Sequence, residues 1–159
     1  MKLDSKKIAI IGIVAAIYAV ATIAIAPISY GAIQFRISEI LILLAFINPI
    51  YIPGLVLGCI IANFFSPLGM VDVVVGSTAT LISVYLISKS KNLLIASLWP
   101  SIINGLIIGA ELHYLFNLPY LSSAAYVLIG EFAVVTLLGY PVFKTILNKE
   151  SFLKTLKLG

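Results

Sequence analysis

Apolar runs of about 20 residues recur along this 159-residue chain. Each is long enough to cross roughly 30 Å of hydrocarbon at about 1.5 Å of rise per helical residue. Composition agrees: 62% of residues are hydrophobic and only 10% charged, with a mean hydropathy of +1.17, whereas soluble domains average about 45–50% apolar and about 25% charged. The expected fold class is an all-α integral membrane protein. Residues 1–159 form one embedded transmembrane domain, with no room for a soluble catalytic one.

The runs divide into six segments. The first covers residues 7–26 and stops at Pro27; being longer than a signal h-region and followed by further spans, it reads as a retained helix. Residues 37–48 and 51–65 are apolar but short, at about 12 and 15 residues against the usual 17–25. They are either short helices or a re-entrant hairpin, and both return the chain to the same side. Residues 72–88, 93–112 and 122–143 complete the set, separated by a Pro67-Leu68-Gly69 turn signal and a polar-aromatic connection around His113.

Charge sets the expected orientation. With both termini in the cytoplasm, every lysine falls on the cytoplasmic side: the leader (Lys2, Lys6, Lys7), the Lys89/Lys91 turn and the tail (Lys144, Lys149, Lys154, Lys157). That is the placement favoured by retention of positive charge, so the net charge of +4 is a topology signal and not a nucleic-acid footprint. Arg36, the chain's single arginine, then lies on the outer side with Glu39, Asp72, Glu111 and Glu131.

A charge at helix centre costs roughly 2.5–3.5 kcal/mol on insertion scales, so these groups must face protein, water or a partner. Glu131 is deepest. Glu111 follows Asn104 by two helical turns and shares its face; Asp72 heads a stripe continued by Gly76, Thr80 and Ser83; Asn63 lies near the end of the third segment. With Gln34 and Arg36 these residues point to one solute pocket. Blander roles exist for several: Asp72 as a helix cap, Arg36 paired with Glu39 three residues on, Glu111 exposed at the interface, Asn104 as interhelical glue. Tyr30, Phe35, Tyr114, Phe116, Tyr120 and Tyr126 serve either an aromatic belt or stacking on a planar ligand. His113 lacks companions for a metal site, and the lone Cys59 is a packing residue; no cofactor is expected.

The first span carries Gly12, Ala15, Ala16, Ala19, Thr22 and Ala26, small residues at three- and four-residue spacing that let a second helix approach closely. Gly105 and Gly109 make a second such pair.

The run Ala26-Pro27-Ile28-Ser29-Tyr30-Gly31 followed by Gln34-Phe35-Arg36-Ile37-Ser38-Glu39 resembles the signature of the QueT-type queuosine-precursor transporters. So do Pro53-Gly54, Gly58-Cys59-Ile60-Ile61-Ala62-Asn63, Asp72-Val73-Val74-Val75-Gly76-Ser77 and Gly130-Glu131. That family belongs to the substrate-binding S components of energy-coupling-factor (ECF) transporters. The resemblance implies a six-helix S-component bundle in the cell membrane, a site opening outward, a transmembrane coupling subunit and two cytoplasmic ATPases. It also implies that the first helix docks on the coupling subunit through an Ala-xxx-Ala motif, matched here by Ala15 and Ala19 with Gly12 and Ala16 as a neighbouring pair.

Queuosine precursors are 7-deazaguanines carrying an aminomethyl or a cyano group. A carboxylate accepts the adjacent donors of a guanine-type edge, and a second would stabilise the cationic aminomethyl group; Glu39, Glu111 and Glu131 are open to either role. Asn63, Asn104, Gln34 or Arg36 could donate to the ring carbonyl. The excess of acids over arginine favours the aminomethyl form. No Gly-x-x-x-x-Gly-Lys-[Ser/Thr] loop is present, so ATP hydrolysis would come from a partner. Two rivals are a self-sufficient proton-coupled carrier using Glu131 and an S component for another vitamin-like solute. A membrane enzyme lacks any nucleophile–base set.

Overall fold

A computed structural model describes residues 4–31 and 33–157; Lys2 of the basic leader lies outside them. Every regular element among the described residues is helical. Helix α1 (Ser5–Ala24) starts at Asp4, whose carboxylate accepts from the Lys7 amide at 2.9 Å. A one-turn helix, α2 (Ala26–Ser29), follows with Pro27 in its first turn. Residues 37–43 wind as a 3₁₀-helix into α3 (Leu44–Ile47), and Pro49 leads through a short 3₁₀ turn into α4 (Ile52–Asn63). Then come α5 (Met70–Lys89) and α6 (Leu93–Phe116). Next are α7 (Tyr120–Glu131), a π-helical stretch Phe132–Gly139, α8 (Tyr140–Leu147) and a separate amphipathic α9 (Glu150–Lys157).

Four of these helices are long and apolar enough to cross a membrane: Ser5–Ala24, Met70–Lys89, Leu93–Phe116 and the continuous Tyr120–Leu147. The intervening Ile37–Ile47 and Pro49–Asn63 are apolar but shorter. The basic tail is helical, and α9 is tied back to the turn before α4 by Asn48 Nδ2 donating to the Lys157 carbonyl (3.0 Å) and the Tyr51 hydroxyl to that of Leu156 (2.8 Å).

One apolar core runs through Tyr18, Ile42, Leu43, Leu55, Val84, Ile87 and Val135, all fully or almost fully buried. Helix α1 lies along α4, α4 along α5, α5 along α6 and α6 along α7. The α1–α4 approach depends on Gly58, where a Cβ would stand 2.8 Å from the Ala15 carbonyl and 2.7 Å from Tyr18 Cβ. Lipid-sized side chains face outward instead, including Ile13, Ile17, Val20, Val74 and Leu137. An apolar outer surface over an apolar core suits an apolar surrounding.

Candidate functional site

The segment between α2 and the 3₁₀-helix is seated by its backbone. The Ile33 carbonyl rests on Gly130 of α7, where any Cβ would overlap it. Gln34 takes a left-handed conformation (φ +49°) and is buried; for a non-glycine residue this is uncommon and marks a conformation imposed by its surroundings. Two residues on, the Arg36 guanidinium donates to Asp72 Oδ2 at 3.1 Å, with both side chains buried. The Tyr30 ring lies 5.4 Å from that guanidinium, within cation–π range, and its hydroxyl donates to the Ala62 carbonyl.

Arg36 therefore does not pair with Glu39, the partner offered by local spacing. Nor is Asp72 the cap of α5. Gly69 (φ +63°) occupies that position and Asp72 sits in the first turn, where the helix dipole favours a carboxylate. Asn63, the last residue of α4, donates from Nδ2 to the Asp72 backbone carbonyl at 2.9 Å. Gly76, one turn further on, leaves the room these groups occupy: a Cβ there would collide with Asp72 Oδ1 and Asn63 Nδ2.

The other two deep acids are held differently. Glu39 accepts from the Tyr18 hydroxyl of α1 at Oε1, while Thr22 and Ser38 join their hydroxyls beside it at 2.5 Å. Glu131 accepts from Asn104 Nδ2 of α6 at 2.8 Å. It ends α7 immediately before the π-helical stretch, which packs on the 3₁₀-helix carrying Glu39; π-bulges inside α-helices are frequent at functional sites. Glu111 is buried, not exposed at an interface, and also borders a groove between α5 and α6 lined by Val71, Val75 and Tyr114.

Buried polar atoms normally find a partner, and each one left without costs roughly 1–3 kcal/mol. Here many have none among the described residues: Glu39 Oε2, Asn63 Oδ1, Asp72 Oδ1, Asn104 Oδ1, both oxygens of Glu111, Glu131 Oε2 and, as a donor, Arg36 Nε. The hydroxyls of Ser77, Ser83 and Ser101 join them. Apart from Arg36 Nε and those hydroxyls, all are acceptors.

A cavity of about 360 Å³ is lined by Tyr30, Gln34, Ser66, Phe116, Ser123 and Tyr126, among others, within the size range of small-molecule sites. Ser123, Val127 and Glu131 are the buried face of α7 at four-residue spacing, so Glu131 lies about 12 Å along the helix from the cavity wall at Ser123. Of the aromatic side chains singled out in the sequence, Tyr30, Phe116 and Tyr126 line this cavity. Tyr114 and Tyr120 instead meet the His113 ring edge-on, and Phe35 packs on the core. His113 is exposed, with Nδ1 2.6 Å from the Leu118 carbonyl.

Tyr18, whose hydroxyl donates to Glu39, is a candidate residue that the sequence alone does not single out. Its hydroxyl stood in plain view on the small-residue face of α1, but an aromatic residue inside an apolar span reads as core. That face splits in two. Ala15 and Ala19, 2% and 4% exposed, together with Thr22 are buried within the chain, whereas Gly12 and Ala16 are exposed beside Ile13, Ile17 and Val20. Gly105 and Gly109 pack on α7, against Leu128 and Ala124.

The sequence profile described as QueT transporter matches residues 8–148. A curated relative, the queuosine precursor transporter QueT of Lactococcus lactis subsp. cremoris (strain MG1363), is 37% identical, the match spanning 77% of this chain and 82% of the relative. No solved structure matches. Both similarities are to transporters and neither is to an enzyme, and the chain belongs to the QueT transporter family.

Proposed function

We propose that this chain is the membrane-embedded substrate-binding subunit of an ATP-driven ECF importer, and that it captures a queuosine precursor, preferably the cationic 7-aminomethyl-7-deazaguanine. The observation that carries this reading is the excess of unmatched buried acceptors on Glu39, Asp72, Glu111, Glu131, Asn63 and Asn104. Such a set of buried acceptors suits a ligand that arrives with donors, and a deazaguanine with an aminomethyl group offers a ring N–H, an exocyclic amine and an ammonium. Among the described residues the one unmatched buried side-chain donor that cannot also accept, Arg36 Nε, suits the ring carbonyl. Tyr30, Phe116 and Tyr126 supply stacking surface at the mouth, and Gln34 stands at its rim.

In this reading the bundle is the six-helix S-component fold in the cell membrane, one domain over residues 1–159. The lysine-bearing turns and both termini face the cytoplasm, where positive charge is retained, and the cavity opens outward. The exposed face of α1, with Gly12 and Ala16 among Ile13, Ile17 and Val20, is the docking surface for the transmembrane coupling subunit. Two ATPases attached to that subunit supply the energy. Ala15 and Ala19 contribute by holding α1 on α4.

Thermal unfolding of the purified chain in detergent tests the substrate. 7-Aminomethyl-7-deazaguanine should raise the midpoint more than the 7-cyano base, and riboflavin, thiamin and biotin should leave it unchanged; a shift with one of these vitamins alone would sink the assignment. Uptake by vesicles holding this chain without an ATPase module, abolished by an uncoupler, would identify a proton-coupled carrier instead.

A further inference from the structure

Four acids lie buried in the bundle, but they are not equivalent. Asp72 has its charge matched by Arg36 at 3.1 Å. Glu111 leaves both oxygens of one carboxyl open, the arrangement that suits two parallel donors on a planar edge. Glu39 and Glu131 share a third pattern. Each has one oxygen tied by a neutral donor, Tyr18 or Asn104, and the other without a partner. Neither donor carries charge, so neither carboxylate is neutralised by its tether.

The two lie on packed elements, the 3₁₀-helix and the α7–π junction, close enough to interact electrostatically. Asn104 adds a further open acceptor, Oδ1, on the amide that already binds Glu131. Three unmatched acceptors thus lie on neighbouring elements, where Arg36 acts on Glu39 and Glu131 only from beyond ion-pair distance and no lysine or arginine forms an ion pair with either among the described residues. An ammonium has three N–H donors and no acceptor.

We propose that Glu39 Oε2, Glu131 Oε2 and Asn104 Oδ1 form a subsite for a primary ammonium group, with Tyr18 as the positioning residue that holds Glu39 toward it. The assignment rests on the substrate reading above and adds to it the acids that distinguish the cationic precursor from the neutral one. Tyr18 is fully buried and wedged by Gly58 of α4. Its hydroxyl therefore comes from a fixed point, and Glu39 Oε1 is the oxygen it occupies. That leaves Oε2 for the ligand.

Isothermal titration of the purified chain in lipid nanodiscs, with 7-aminomethyl-7-deazaguanine and with 7-cyano-7-deazaguanine, tests the subsite. Glu39→Gln and Glu131→Gln should each weaken the aminomethyl base about tenfold or more, the loss expected for a charged hydrogen bond, and the cyano base by less than about threefold. Tyr18→Phe should lower the aminomethyl-to-cyano ratio in the same direction, whereas mere damage to packing would weaken both ligands alike. Glu111→Gln should also weaken both alike. A wild-type chain that binds neither base overturns the substrate reading and the subsite with it. Overturning the subsite alone requires a wild-type chain that favours the cyano base, or a ratio unchanged in Glu39→Gln, Glu131→Gln and Tyr18→Phe. If Glu39→Gln does not fold, the ratios of the other two variants decide.

Discussion

The Arg36 guanidinium and the Asp72 carboxylate meet at 3.1 Å, with side-chain exposures of 5% and 0%, across a separation of 36 positions in the chain. Removing one partner of such a pair leaves an uncompensated buried charge and costs roughly 3–5 kcal/mol, whereas replacing both by apolar residues is often neutral. Asp72→Asn and Arg36→Met should each lower the thermal midpoint in detergent steeply. The double change Arg36→Met, Asp72→Leu should recover most of the loss while weakening ligand binding. A wild-type midpoint in Asp72→Asn would show that the pair does not hold the loop to α5.

Gly130 is a second point of attachment for the same loop. A Cβ there overlaps the Ile33 carbonyl, which is backbone and cannot rotate away. Gly130→Ala should cost about 1–3 kcal/mol, as overpacked sites do, and should displace Gln34 from the cavity wall. The expected readout is weaker binding of both deazaguanines together with a lowered midpoint; unaltered binding would argue that the loop is dispensable to the site.

The two faces of α1 make opposite predictions. Ala16→Trp, on the exposed face, should leave the midpoint and solute binding unchanged and abolish ATP-dependent uptake when the chain is reconstituted with a coupling module. Ala15→Leu and Ala19→Leu, on the buried face beside Gly58, should lower the midpoint by overpacking. Uptake at the wild-type rate by Ala16→Trp would rule out this face as the proposed docking surface.

Helix α9 makes two side chain-to-backbone hydrogen bonds with the turn before α4, through Asn48 and Tyr51. The first is exposed and the second part-buried, and such bonds contribute only about 0.5–1.5 kcal/mol. Leu156 also packs against the apolar core, so truncation after Lys149 should lower the midpoint moderately and leave deazaguanine affinity at its full value. A large loss of affinity would mean that the tail supports the site from the far end.

Hydropathy made the four long spans and the two short segments legible, because lipid imposes a length on any helix that crosses it. Individual site residues were legible too, since a carboxylate or amide inside an apolar run stands out. Their pairing was not. Arg36 has Glu39 three residues away, yet its partner comes from another helix, and nothing in local spacing encodes that. Tyr18 was hidden for the opposite reason: its ring belongs to the core while its hydroxyl reaches Glu39. The winding of residues 37–43 and 132–139 was equally invisible, because an apolar run reads the same whether its turns are tight, regular or wide.

That wide stretch bears on how the chain tolerates changes in length. A π-turn holds one residue more than an α-turn, and each residue of an α-helix accounts for about 100° of rotation. Deleting one residue between Phe132 and Gly139 should let the last span close up as a regular α-helix, with Glu131 and Tyr140–Leu147 keeping their orientations. The same deletion inside α5 or α6 would rotate everything beyond it away from its neighbours. A sharply lower midpoint for the 132–139 deletion than for those would contradict this. The widened segment beside Glu131 is thus where the bundle can lose a residue without losing its alignment.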